Sequence, residues 1–382
     1  MDQRTPPNLA YDAVEAAREV AALAESRAEA QDHDDGFPSE DVSDLARLGL
    51  LAAPVPGSDG GVGLGEEPGA VKLADVLRLV GYGSLALGRL YEGHVNALQL
   101  IARYGDASQR ARLFADARDG HLFGVWNTEP LDGGLSLENG AGGLILRGVK
   151  TFASGAGFVT RALVTGRRPG QREPLMLVVP LEVGSRADLS AWRAHGMRAS
   201  ATGTLDFSGI DLADDAVLGG PDDYHRQPTF SGGAWRFAAV QLGGIEAVFD
   251  AWRGHLARLG RGADPHQLAR LGEGAIAVEC ARLWVGRAAR SVTEEVLPPD
   301  RIVAYVNLAR LAVEQAGLSV LQLAQRSVGL QGFLRGHPLE RLSRDLATYL
   351  RQPAPDRALT TAAVEILGAG GMVGDLWGWE EG

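Results

Sequence analysis

The stretch "RIVAYVNLARLAVEQAGLSVLQLAQRSVG", residues 301–329, limits the possible folds more than any other part of the chain. It contains no proline and is apolar nearly all round, with small alanines between the larger residues. A helix of that kind has no face to give to water, so several other elements must pack closely against it. The chain must therefore provide a helical bundle around it. A second helical period supports this: Ile245, Val248, Phe249, Trp252 and Leu256 recur on one face of a helix.

The region before this bundle has a different character. Over residues 122–218, "GLILRGVKTF", "RALVTGR", "PLMLVVP" and "GTLDFSGIDL" are short β-branched or aliphatic runs separated by Gly and Pro. This pattern predicts a compact antiparallel β unit and disfavours a parallel doubly wound sheet. Upstream, residues 8–120 read as mostly helical. In "FPSEDVSDLARLGLL", Ser39 is the expected cap, Glu40 and Asp41 favour the first turn, and Gly49 is the expected stop. The expected architecture is α+β: a helical domain over 1–120, a barrel-like β domain over 121–225 and a helical bundle over 226–382.

Composition narrows the function. A net charge of −11 with scattered arginines leaves no electrostatic footprint for nucleic acid. The single Cys280 excludes an internal disulfide framework and fits a reducing cytoplasm. The N-terminus lacks the apolar core of a signal peptide, and every long apolar run is interrupted, so no membrane span is expected. The histidines lie too far apart for a metal motif, and there is no Gly-x-Ser-x-Gly elbow. "GGVGLGEE" has the wrong spacing for a dinucleotide loop, and its acids would repel a pyrophosphate; it reads as a surface loop. His94, on an apolar helical face, reads first as a structural residue. In "FGVWNTEP" and "RGVKTFASGAG", Thr128 and Ser154 place hydroxyls near Trp126 and Phe152, a pairing suited to a planar heteroaromatic ligand.

Those last segments, taken with "RYGDASQRARLF", "HGMRASATGTLDFSGIDL", "VGLQGF" and "HPLERLSRDLATYL", resemble the acyl-CoA dehydrogenase superfamily of FAD flavoproteins in the family's own order. The resemblance runs over nearly the whole chain and implies the same helix–β–helix fold. It implies that Asn127 and Thr128 meet the flavin ring edge, that Ser154 lies near flavin N5 and that Phe152 covers the ring. It also implies that Gly329 and Gly332 let the backbone approach the FAD diphosphate across a subunit interface, which makes a homodimer or homotetramer the expected state. Either Arg258 or Arg261 would neutralise the diphosphate, although this segment lacks the family's phenylalanine. Leu330 replaces a glycine of the family's pair, and Arg326 stands where a glutamine is common.

The chain departs from the family most where the chemistry is expected. The family's catalytic glutamate, counted from Arg344-Asp345, falls on Pro353, and the alternative position before Arg236 is Trp235. Neither can accept a proton. One reading is an FAD-dependent oxidoreductase that oxidises an acyl thioester with a displaced base, the nearest acids being Glu246 and Asp356. A second is a flavin-dependent monooxygenase acting on an aromatic substrate, served by an electron-transfer or flavin reductase partner, with His94 and Ser154 beside the flavin. A third is a flavin-binding homologue without turnover.

Overall fold

The computed structural model describes residues 12–378, apart from 67, 132, 141, 295 and 296. Residues 1–11 of the expected N-terminal unit lie outside the described residues, as does the second acid of "GGVGLGEE".

Five helices come first: α1 (Ala13–Gln31), α2 (Ser39–Arg47), α3 (Ala70–Gly83), α4 (Leu85–Tyr104) and α5 (Ala107–Arg118). Three of them start on a side-chain cap. Asp12 accepts the Val14 N–H to cap α1, Ser84 accepts the Leu87 N–H to cap α4, and Asp106 with Gln109 forms a reciprocal capping box on α5. The expectation for α2 needs correction. Ser39 is already helical, Pro38 occupies the cap, and no side chain closes that end. Asp41 of the first turn and Asp44 of the next point inward to Arg27 instead, at 2.6 and 2.7 Å.

Among the described residues the middle domain holds ten short strands: β1 (Phe123–Trp126), β2 (Ser136–Gly140), β3 (Gly143–Arg147), β4 (Val149–Ala153), β5 (Arg161–Gly166), β6 (Leu175–Pro180), β7 (Ala187–Asp188), β8 (Gly203–Asp206), β9 (Asp211–Leu212) and β10 (Val217–Leu218). They form three sheets, ordered β1-β5-β6-β10, β2-β3-β9 and β4-β8-β7. All pairings are antiparallel except one: β1 runs parallel to β5, with Phe123 opposite Arg161 and Trp126 opposite Val164. The excursion through β2, β3 and β4 is long enough for the crossover that parallel neighbours require. Short, punctuated runs identify strands but do not encode that direction.

The second helical region comprises α6 (Thr229–Gly232), α7 (Trp235–Arg258), α8 (Pro265–Thr293), α9 (Pro299–Val328), α10 (Pro338–Tyr349) and α11 (Pro355–Gly368). Helix α9 is the element expected at the heart of the bundle, with Val306, Ala309, Val313, Val320 and Ala324 fully buried. On α7, Ile245, Val248, Trp252 and Leu256 are buried as the periodicity predicts, with Phe249 partly buried against the core.

Helices α3 and α7 cross backbone to backbone. A Cβ on Gly243 would run into the Arg78 carbonyl oxygen, and one on Gly81 into that of Val240. The β domain is fastened to α10 by the Arg344-Asp345 pair. Asp345 accepts the Met197 N–H at 2.6 Å, while Arg344 donates to the His195 carbonyl and pairs with Asp32 and Glu340. Among the described residues, no helix is long and apolar enough to cross a membrane.

Candidate functional site

A cavity of about 1050 Å³ opens where α4, the start of α7, α9 and the loop before α11 meet the end of β1. Val125 of β1 lines it, so the cavity adjoins the "NTEP" turn. Both Trp235 and Pro353 lie in its wall. Trp235 is 2% exposed, and its indole N–H has no partner among the described residues.

A polar cluster that sequence reasoning did not single out is built into this wall. Glu92 on α4 is 4% exposed and pairs with Arg89 at 2.5 Å. Its other oxygen accepts from the Asn96 amide, and the Asn96 carbonyl oxygen accepts from Arg236 Nε. Burial pushes Arg236 down to about 10 against the attraction of Glu92, so it stays charged at neutral pH. Burial likewise raises the Tyr224 phenol to about 12. The signal was present in the sequence. Arg89, Glu92 and Asn96 follow i, i+3, i+7, a polar stripe on a helix that is otherwise mostly buried.

The residues expected to meet a flavin gather at the β-domain side. Thr128 is exposed, with no side-chain hydrogen bond among the described residues. Its carbonyl accepts the Thr151 N–H, which fastens the turn to β4. The Asn127 side-chain oxygen accepts from the Thr165 hydroxyl, and the Asn127 carbonyl accepts from Lys150 at 3.2 Å. The Ser154 hydroxyl accepts from Thr202 at 3.2 Å, and its carbonyl accepts from the Trp126 indole at 3.0 Å. Phe152 is 67% exposed at φ 51°, held edge-on to Trp192 at 6.5 Å. A bulky residue at positive φ with its ring in solvent is costly unless something covers it. Thr128 and Phe152 are both exposed on this surface.

Gly329 ends α9 at φ 72°, with open space where a Cβ would stand, and Gly332 is buried in the turn that follows. Leu330 is 78% exposed, and Arg326 is also exposed. A second cavity, about 780 Å³, is lined by Arg258 with Arg335, Arg341, Arg344 and His337. Arg258 and Arg335 have no carboxylate partner among the described residues, whereas Arg341 pairs with Asp345 and Arg344 with Asp32. Arg261 lies exposed in the loop after α7 and does not line this cavity.

The acids proposed as displaced bases lie elsewhere. Glu246 pairs with Arg78 at 2.7 Å between α7 and α3; burial raises its pKa, and it lines neither cavity. Asp356 is exposed in the first turn of α11, where the helix dipole stabilises its charge, and it too stays outside both cavities. His94 is fully buried between two main-chain groups. Nδ1 accepts the Phe123 N–H at 3.1 Å, so Nε2 carries the proton and donates to the Leu51 carbonyl at 2.7 Å. Burial pushes its pKa down to about 4. His94 thus holds α4 to β1 as a neutral ring, with no nitrogen free for proton transfer. Among the described residues, no cluster of His, Cys, Asp or Glu is arranged to hold a metal.

Comparison with known proteins adds the lineage. The family description "Acyl-CoA dehydrogenase, N-terminal domain" matches residues 12–121, and "Acyl-CoA dehydrogenase, C-terminal domain" matches 226–350. The chain belongs to the acyl-CoA dehydrogenase superfamily. A dibenzothiophene monooxygenase of Mycolicibacterium goodii is 28% identical over 58% of this chain, an alignment spanning 55% of that relative's own length. An L-evernosamine nitrososynthase of Micromonospora sp. is 28% identical over 84% of this chain and 81% of its own. Among solved structures, TdsC of Paenibacillus sp. A11-2 with FMN and indole superposes with a TM-score of 0.83 at 18% identity, covering 96% of this chain and 100% of that one. A glutaryl-coenzyme A dehydrogenase with glutaryl-CoA reaches 0.80 at 22% identity, covering 95% and 97%. At those identities the structural likeness shows the fold.

Proposed function

We propose that this chain is a flavin-dependent monooxygenase built on the acyl-CoA dehydrogenase fold, acting on a small aromatic or amine substrate in the 1050 Å³ cavity. One observation carries the reading: in the cavity wall, neither of the two positions from which relatives draw an α-proton holds a base. Trp235 and Pro353 occupy the two positions from which relatives draw an α-proton, and Glu92, the buried acid present, is already committed to Arg89 and Asn96. The similarity to dibenzothiophene monooxygenases and an amino-sugar nitrososynthase supports the same chemistry.

Reduced flavin, when bound, supplies the two electrons with which dioxygen gives one oxygen atom to substrate and releases the other as water. The chain's own part is to bind and exclude. Thr128 and Ser154 present hydroxyls to the ring edge, Phe152 gains a ring to cover it, and Trp235 with Phe237 walls the cavity against water. Arg258 and Arg335, beyond the Gly329 turn, are the free cations for the flavin's phosphate. Exposed Leu330, Phe333 and Leu334 beside that turn are covered by a second copy of the chain. A separate flavin reductase supplies the electrons.

The test loads the protein with FMN and with FAD in parallel, identifies the flavin retained, and adds a reductase, indole and 18O-labelled dioxygen. Labelled product is expected; oxygen consumed without any labelled product refutes the reading. The family membership favours a second reading, oxidation of an acyl thioester. It predicts that acyl-CoA bleaches the oxidised flavin anaerobically at a rate of order 10 s⁻¹, whereas the missing base predicts a rate lower by about 10²–10⁴.

A further inference from the structure

The cluster around Arg236 has one carboxylate for two partly buried arginines. Glu92 engages Arg89 directly at 2.5 Å, while Arg236 reaches it only through Asn96. Among the described residues Arg236 has no ion-pair partner. Its Nε donates to Asn96, and its guanidinium carbon lies 5.7 Å from the Trp235 ring centroid. The two terminal nitrogens have no protein acceptor. One of them, Nη2, lies against the Gly233 backbone. Arg310 adds to the excess of positive charge. It donates to the Pro353 carbonyl and lies 5.6 Å from the Phe237 ring centroid, on the wall of the same cavity.

A guanidinium taken out of water without a counter-ion is destabilising, and folded proteins keep such groups paired unless another molecule supplies the charge. Arg also presents a planar pair of N–H donors that matches a carboxylate or an oxyacid of sulfur or phosphorus. The remaining lining is largely apolar and aromatic, including Leu100, Phe230, Trp235 and Val303. From this juxtaposition we propose that the substrate is a small apolar or aromatic molecule bearing one anionic group, which the terminal nitrogens of Arg236 bind. Asn96, held by Glu92, is the positioning residue that fixes the fork. The inference rests on the cavity being the substrate site and deepens that reading.

The probes are indole-3-carboxylate and indole-3-carboxamide, alike in shape and different in charge, titrated against the flavin-loaded protein. The carboxylate is expected to bind the wild-type protein about 10- to 100-fold more tightly, the range of a charge-assisted hydrogen bond. Arg236→Gln should abolish that preference and leave amide affinity within about twofold; Arg236→Lys should restore part of it. Equal binding of the two probes, binding of neither, or a preference that survives in Arg236→Gln overturns the proposal. Should Arg236→Gln fail to fold, Asn96→Ala decides: carboxylate affinity should fall several-fold while amide affinity holds, and an equal fall for both probes overturns it. Failure of the two readings is separable. A protein that prefers the carboxylate but incorporates no labelled oxygen keeps this inference and discards the monooxygenase. One that oxygenates indole without charge preference does the reverse.

Discussion

In the β domain, Lys150 is fully buried and all three of its N–H bonds are used: Glu129 at 2.7 Å, Thr165 at 3.1 Å and the Asn127 carbonyl at 3.2 Å. Glu129 in turn takes Arg167 at 2.8 Å. In the cavity wall, Arg236 is partly buried, yet among the described residues two of its nitrogens have no protein acceptor. Lys150 is wholly enclosed and holds the turn carrying Thr128, whereas Arg236 faces a cavity. The count of unmet donors separates the structural from the functional charge.

The contrast predicts opposite responses to deletion. Lys150→Met leaves Glu129 without its buried partner and should cost about 3–5 kcal/mol of stability, the usual penalty for breaking a buried pair. Urea unfolding measures it, and a loss below about 1 kcal/mol would break the comparison.

His94 sharpens it through pH. Its folded pKa of about 4 lies below the ordinary 6.5, so between those values the unfolded chain holds a proton that the folded chain refuses. The stability present above pH 6.5 is therefore lost as pH falls toward 4, approaching roughly 3 kcal/mol. Unfolding of wild type and His94→Gln at pH 7 and pH 4.5 should show the steeper loss in wild type. Equal losses would mean that the ring is not held neutral.

Glu246→Gln, which opens the partly buried pair with Arg78 at the α3–α7 crossing, should cost about 1–2 kcal/mol. It should leave the binding of cavity ligands unchanged; altered probe affinity would place Glu246 in the site after all. The smallest effect is expected for Arg236→Gln, a change of less than about 1 kcal/mol in the ligand-free protein, because removing an unmatched, partly buried charge also removes its desolvation cost. A loss as large as that of Lys150→Met would show that Arg236 is a closed structural cation too.

Helix and strand territory was legible because periodicity and punctuation are local properties. The apolar face of α7 follows directly from spacing; α9 reads as buried all round, but Gln315, Leu318, Gln322 and Arg326 leave a stripe of its second half exposed. Other features depend on partners distant in sequence, and there the sequence was silent or misleading. Nothing in "FGVW" marks β1 as parallel to β5. Ser39 has the chemistry of a cap, but Pro38 precedes it and the nearby acids turn to Arg27. The missing base was legible as Pro353. Glu92 and Asn96 passed unnoticed because their role depends on Arg236, which reaches them from another helix.

The glycine crossing of α3 and α7 has a consequence for how this cavity can change. Main chain rests on main chain at Gly81 and Gly243, so that contact has no side chain to trim and no slack to take up. Any residue larger than glycine there would push α7 outward as a rod and carry Trp235 and Arg236 with it. The back wall is therefore a fixed jaw. Changes of ligand size, in evolution or by engineering, fall to the opposite side, where Pro353, Ala354, Arg357 and Thr361 line the rim on a loop and the first turns of a helix.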